Sequence, residues 1–329
     1  MTFALTSEQQ QFAATLHKLL SDADVPAAAR AWADGDHAPA LAIWTALADA
    51  GVTGLAIPDE PGGLVDLVIA CDELGHHPVP GPLAESLAAV PAMLAGLGTG
   101  PARQWLAELT AGQAIATIAI APHVPYALDA DIARLVFWWK DQKIWKGQPG
   151  SRHDSMDPSR RLYEVRPAQE LGAGQEATRP LRYGTLASAA LLLGAGRGLL
   201  DAAVTHAQTR EQFGRPVGSF QAVKHALADV LIALEFARPL VYAAAIAVEA
   251  DSPAAARDVS AARVACADAA RLAARTALQV HGAIGYTREC DVSLWLAKVR
   301  ALSSAWGSQA EHRAAVLAAL TEPETGPWN

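Results

Sequence analysis

The chain has 329 residues, enough for about two domains and for a core that needs neither a metal nor a disulfide to hold it. Hydrophobic residues make up 51%, charged residues 18% and aromatic residues 6%, with 25 Gly and 20 Pro dispersed along the chain; this excludes disordered and fibrous classes and favours helix. Lys and Arg number 26 against 34 Asp and Glu, a net charge of −8, so no basic surplus exists for a nucleic acid or an anionic bilayer.

The cysteines, Cys71, Cys266 and Cys290, are too dispersed for a disulfide framework or a Cys-rich zinc site. The opening MTFALTSEQQQ lacks a basic stretch followed by an apolar one, and the apolar run near residues 186–200 is broken by glycines and Arg197. A cytoplasmic chain without a membrane span is expected.

In chain order, Ser7 is placed to cap a helix with Gln10 three residues on, flanked by Leu5 and Phe12. Leu41, Trp44, Leu47 and Ala48 predict a second helix ending at Gly51, and GLAIPDEPGG over 54–63 predicts a loop. Helix is expected again over 64–74, ending at Gly75, and over 83–97 after the HHPVPGP stretch. Ile115, Thr117, Ile118 and Ile120, then Leu135 to Trp139, favour strands. A linker over 171–180 precedes four helical stretches near 184–210, 219–250, 254–284 and 289–320, the pattern of an antiparallel bundle. The fold expected is mainly α with a small β insert: an N-terminal α-helical domain over 1–111, a truncated β domain over 112–175 and a C-terminal four-helix bundle over 176–329.

Two segments stand out. Arg210-Glu211-Gln212-Phe213-Gly214-Arg215-Pro216-Val217 is a turn between two helices that frees Arg210 to reach outward, although an arginine at a helix end commonly offsets the dipole or pairs at the surface. Gln279-Val280-His281-Gly282-Ala283-Ile284-Gly285 ends a helix with glycines that allow positive φ and close approach, or simply cap it. Both segments, with the 54–63 loop and the helix segment ALEFARPLVYAAA, resemble the acyl-CoA dehydrogenase family over the N-terminal helices and the whole C-terminal bundle.

The resemblance implies an FAD enzyme that introduces an α,β double bond into a CoA thioester. In that family the arginine turn of one subunit reaches the diphosphate and adenine end of FAD held by its neighbour, and the Gln-x-x-Gly-Gly turn supports the same cofactor. Arg210, Gln212, Phe213, Gln279, Gly282 and Ala283, the last replacing the usual second glycine, are therefore the cofactor-binding candidates. A guanidinium forks onto a diphosphate, and Phe213 offers apolar surface.

The departures matter as much. The family needs a carboxylate to remove the α-proton. Its usual position falls on Trp306, and the alternative one near Gly184, so no catalytic residue is expected in this chain. Glu311, Glu289 and Asp291 are the candidates for a relocated base. The β insert is short and lacks the Thr-Glu-Pro and Gly-Ser-Asp pattern that frames flavin and substrate; Ala121-Pro122-His123-Val124 stands there instead. Short relatives with this profile, which Ser155–Leu162 also resembles, are the smaller subunits of α2β2 acyl-CoA dehydrogenases of bacterial steroid catabolism. A larger dehydrogenase subunit is thus the expected partner and an acyl-CoA, favoured as steroid-derived, the substrate. A flavin-free scaffold is the remaining alternative.

Other patterns have simpler explanations. Gly194-Ala195-Gly196-Arg197-Gly198 lies in a helical period and predicts close helix packing rather than a dinucleotide loop. Glu73-x-x-His76 has no second copy, and with Gly75 ending the helix it predicts capping or surface roles and no metal site. His206 and His225 are expected at a surface or interface, and Phe137, Trp138, Trp139 and Trp145 as packing of the insert ahead of a partner contact.

Overall fold

The computed structural model describes residues 4–57, 60–173 and 177–321. Six helices come first: α1 (Ser7–Asp22), α2 (Val25–Ala33), α3 (Ala38–Asp49), α4 (Leu64–His76), α5 (Val90–Leu97) and α6 (Gly100–Thr110). The cap of α1 lies one residue earlier than expected, because Thr6 and Gln9 close a reciprocal capping box, Gln9 N–H to Thr6 Oγ1 and Thr6 N–H to Gln9 Oε1. Helices α2 and α6 were not anticipated. The segment before α5 is a single π turn, Glu85–Ala89. Pro58 and Asp59 of the expected loop lie outside the described residues.

Gly75 does not end α4. A Cβ there would overlap the Leu191 carbonyl, and one on Gly194 would overlap the Asp72 carbonyl, so α4 meets α7 (Thr178–Thr209) backbone to backbone. Glycine on both helices is what permits this approach. Residues 184–196 of α7 are buried throughout, which makes it the axis of the molecule. The expected close packing of the Gly194–Gly198 stretch is thus observed.

Five strands intervene: β1 (Ala116–Ile120), β2 (Ala127–Leu128), β3 (Leu135–Lys140), β4 (Lys143–His153) and β5 (Leu162–Ala173), in the order β1-β3-β4-β5-β2. β1 and β3 are parallel and the other pairs antiparallel. Asp141 and Gln142 turn β3 into β4 with φ of 51° and 62°, the two positive angles a two-residue hairpin of right-twisted strands requires. Alternation places Leu135, Phe137 and Trp139 in the main core, while Val136 and Trp138 pack a small cluster on the opposite face.

The bundle comprises α7, α8 (Gln221–Glu249), α9 (Ala255–His281), α10 (Val292–Leu302) and α11 (Gln309–Thr321). The fourth expected stretch is therefore two helices, broken at Ser303–Ser308. Buried Arg263 of α9 donates to the carbonyls of Leu302 (2.6 Å) and Ala305 (2.9 Å), and His312 Nε2 bonds the Trp306 carbonyl at 2.9 Å. These bonds hold Trp306 at φ 57° and Gly307 at φ 94°. All three cysteines are free thiols. α7 and α8 are long and apolar enough to cross a bilayer, but most of the apolar stretch of α7 is buried by its neighbours.

Candidate functional site

At one end of the bundle, α7 stops at Thr209 and the chain forms a miniature hairpin, β6 (Glu211–Gln212) against β7 (Arg215–Pro216). Phe213 (φ 55°) and Gly214 (φ 76°) make its turn, and the Val217 N–H closes it on the Arg210 carbonyl at 2.8 Å. The turn leaves Phe213 92% exposed. Arg215 is held back over the Phe220 ring at 4.2 Å, whereas the Arg210 side chain makes no hydrogen bond or ion pair among the described residues.

The second segment ends α9 beside this hairpin. The His206 and His281 rings stack with centroids 4.2 Å apart, which joins the C-terminal ends of α7 and α9. Gly282 adopts φ 66° and ψ −145°, a conformation essentially confined to glycine, and nothing lies within 4 Å of where its side chain would project. Gln279 and Ala283 are exposed, as is Gln212. An unpaired guanidinium, an exposed aromatic face, two amides and an open backbone suit the nucleotide tail of FAD. All six sequence-predicted candidates thus lie on the two adjoining segments.

A second feature lies between the sheet and the bundle. It is a cavity of about 550 Å³ whose walls include Glu85, His123, Tyr126, Arg160, Arg271 and Trp306. The short sheet therefore still leaves a space of ligand size. The inner wall is instructive. Trp306 is 3% exposed and packs on Gly184 so closely that any Cβ there would overlap its six-membered ring. The two positions that could have carried the base touch one another, one filled by an indole and the other by a hydrogen.

Glu85 escaped the sequence reading. It is 4% exposed and accepts a 3.2 Å hydrogen bond from Trp306 Nε1. Burial raises its carboxyl above the usual range, partly offset by Arg160 and the indole. The available signal was a lone glutamate in the apolar run Pro82-Leu83-Ala84-Glu85-Ser86-Leu87.

The candidates for a relocated base are engaged elsewhere or lie outside the cavity wall. Glu311 accepts from the Ser308 N–H at 2.6 Å, capping α11, which holds its carboxyl below the ordinary range. Asp291 pairs with Arg30 at 2.7 Å, and Glu289 is exposed on the turn before α10.

The outer wall at Asp157–Leu162 is anchored from below. Arg161, buried, donates to Asp131 (3.0 Å) and to the Trp32 carbonyl of α2 (3.0 Å) and pairs with buried Asp129 at 3.3 Å. Burial pushes the Asp129 carboxyl up to about 7, with Arg161 opposing it.

A helical N-terminal layer, a mixed sheet and a helical bundle around a cavity at their junction define an acyl-CoA dehydrogenase architecture. Residues 6–113 match the model of the acyl-CoA dehydrogenase N-terminal domain, and residues 172–321 that of its C-terminal domain. A relative described as acyl-CoA dehydrogenase IpdE2, from Mycobacterium tuberculosis (strain ATCC 25618 / H37Rv), is 34% identical over 88% of this chain and 89% of its own. The chain belongs to the acyl-CoA dehydrogenase family, flavoprotein oxidoreductases that act on CH–CH bonds. Among solved structures, the ChsE4-ChsE5 complex from Mycobacterium tuberculosis superposes with a TM-score of 0.81 at 22% identity, covering 99% of this chain and 100% of that one. A variant of the Tcur3481-Tcur3483 steroid acyl-CoA dehydrogenase gives 0.81 at 22% identity, covering 95% and 97%. At that identity, both likenesses concern the fold.

Proposed function

We propose that this chain is the smaller subunit of a heteromeric, α2β2 acyl-CoA dehydrogenase that α,β-desaturates a steroid-derived CoA thioester, lending residues to FAD seated mainly in its larger partner. The observation that carries this is the pairing of Trp306 with Gly184, which removes the proton acceptor from both places the family puts it. An indole N–H cannot accept the α-proton. The partner would supply the carboxylate, and FAD, when bound, would supply the hydride-accepting chemistry.

This chain's own residues hold the cofactor's tail. Arg210 would meet the diphosphate with charge-assisted hydrogen bonds, Gln212 and Gln279 would add polar contacts, Phe213 would cover apolar surface, and Gly282 would let the backbone approach, while the Ala283 methyl would set the cofactor slightly farther away. Apolar cover for an interface is available on α8. Leu231, Ile232, Phe236 and Leu240 lie exposed on one side of α8, at 50%, 54%, 75% and 41%. The steroid and heteromeric aspects are supported by the descriptions of two structural neighbours, a ChsE4-ChsE5 complex and a Tcur3481-Tcur3483 steroid acyl-CoA dehydrogenase.

Expressed alone, the chain should be colourless and inactive; co-expressed with a larger relative carrying the carboxylate, it should give a yellow complex that oxidises an acyl-CoA. A yellow, active homo-oligomer would overturn the proposal. Glu85 favours one second reading, a self-sufficient dehydrogenase, because it is a carboxylate buried in the cavity wall. Single-chain turnover abolished by Glu85→Gln would support that alternative.

A further inference from the structure

Four potential ligands converge on the far side of α4, away from the cavity wall. His17 of α1, Glu73 and His76 of α4 and His77 just beyond it each offer one atom, and these atoms all lie within 4.8 Å of one another. His17 Nδ1 is 2.9 Å from Glu73 Oε2 and 3.4 Å from His77 Nε2. The three imidazole centroids are 4.8, 4.9 and 5.1 Å apart. We propose that these residues bind one Zn²⁺, clasping the N-terminal helix onto α4.

The distances agree with that chemistry. Zinc bound tetrahedrally by two imidazoles at about 2.0–2.1 Å sets their nitrogens about 3.4 Å apart, the separation of His17 and His77. Without a metal these nitrogens share a proton with the Glu73 carboxylate, 2.9 Å from His17 Nδ1, and a cation among them would take that proton's place. A zinc-ligating histidine ordinarily gives its second nitrogen to a carboxylate or carbonyl. His76 has that arrangement: Nε2 meets Asp201 of α7 at 2.8 Å, while Nδ1 is buried without a partner among the described residues. Glu73 is steadied likewise, one oxygen accepting from Arg197 at 3.1 Å and the other directed to His17.

Three imidazoles and one carboxylate select zinc over magnesium or calcium, and four protein ligands with no open position make the site structural rather than catalytic. It gives a role to the end of α4, where His76, its last residue, and His77 just after it meet His17. Gly75 was expected to leave Glu73 and His76 capping or at the surface, but Glu73 is 5% exposed.

The test uses the full-length chain without a histidine tag, stripped with EDTA and reloaded with Zn²⁺, read by metal analysis and titration calorimetry. One zinc per chain with micromolar or tighter affinity is expected, together with a raised thermal midpoint and, for Co²⁺, the visible bands of a tetrahedral site. His17 is half exposed, so His17→Ala should fold and bind about 100-fold more weakly; Asp201→Asn, which touches no metal, should weaken binding about 10–100-fold. Absence of zinc uptake, or uptake unchanged in His17→Ala and His77→Ala, would overturn the proposal. None of these readouts involves flavin, so the result is independent of the dehydrogenase assignment.

Discussion

Replacing Trp306 by alanine is expected to cost about 3–5 kcal/mol of stability, because the indole is the largest group between α7 and the cavity and Gly184 opposite has no side chain to relax into the gap. Denaturant titration should show a lower midpoint with an unchanged slope. Trp306→Phe separates packing from hydrogen bonding: most of the ring volume stays, but Glu85 loses its donor. The carboxyl of Glu85 gives the pH signature. Its folded value lies above its unfolded one, so its contribution is fully present below the unfolded value of about 4.5 and is lost as pH rises through the folded value. Glu85→Gln keeps an oxygen for the indole and cannot ionise, so it should raise the thermal midpoint more at pH 8 than at pH 4. An equal shift at both would show that the carboxyl titrates normally.

The second large effect belongs to Arg161. Arg161→Met takes from Asp129, fully buried, the cation it pairs with and strips donors from Asp131 and the Trp32 carbonyl. Removing one member of a buried ion pair typically costs about 3–5 kcal/mol. Adding Asp129→Asn removes the stranded charge and should restore part of the loss, a non-additivity that independent sites do not show. Because Arg161 ties the Asp157–Leu162 wall to α2, the single variant should also loosen the cavity's outer edge, seen as faster amide exchange there. A loss below about 1 kcal/mol would mean that the pair is solvated and structurally idle.

Local chemistry made much of the architecture legible. The helices of the bundle, the Leu135–Trp139 strand and the paired turns at Arg210 and Gly282 are written in apolar periodicity, β-branched runs and glycines, each acting over a few residues. What was missed depends on distant partners. Gly75 reads as a stop signal, yet it is there because α7 presses against it. The break after α10 has no local breaker until Gly307; it is imposed by Arg263, about 40 residues earlier in the chain, which captures the carbonyls that a continuous helix would have used. Helix α2 is short and capped by an Asp24 bond to the Ala27 N–H that is easily overlooked in an alanine-rich stretch. The clustering of His17 with His76 and His77 joins α1 to the end of α4, so sequence spacing could not disclose it. Glu85 became visible only once its indole partner was placed.

The site shows the same division. The open Arg210 turn was expected from its residues; the contact between Trp306 and Gly184 was not, because it joins residues from two helical stretches far apart in sequence.

The most direct test of the shared-cofactor account is flavin retention by the two-chain complex carrying Arg210→Ala, measured as the ratio of visible to ultraviolet absorbance after gel filtration. Arg210 is exposed and unpaired among the described residues, so the variant should fold and assemble. Losing hydrogen bonds to a charged diphosphate, at about 1.5–3 kcal/mol, should weaken FAD binding roughly 10–150-fold and leave a pale complex that excess FAD recolours. An assembled variant that stays as yellow as the parent would contradict the account, because the tail of the cofactor would then be held without this chain.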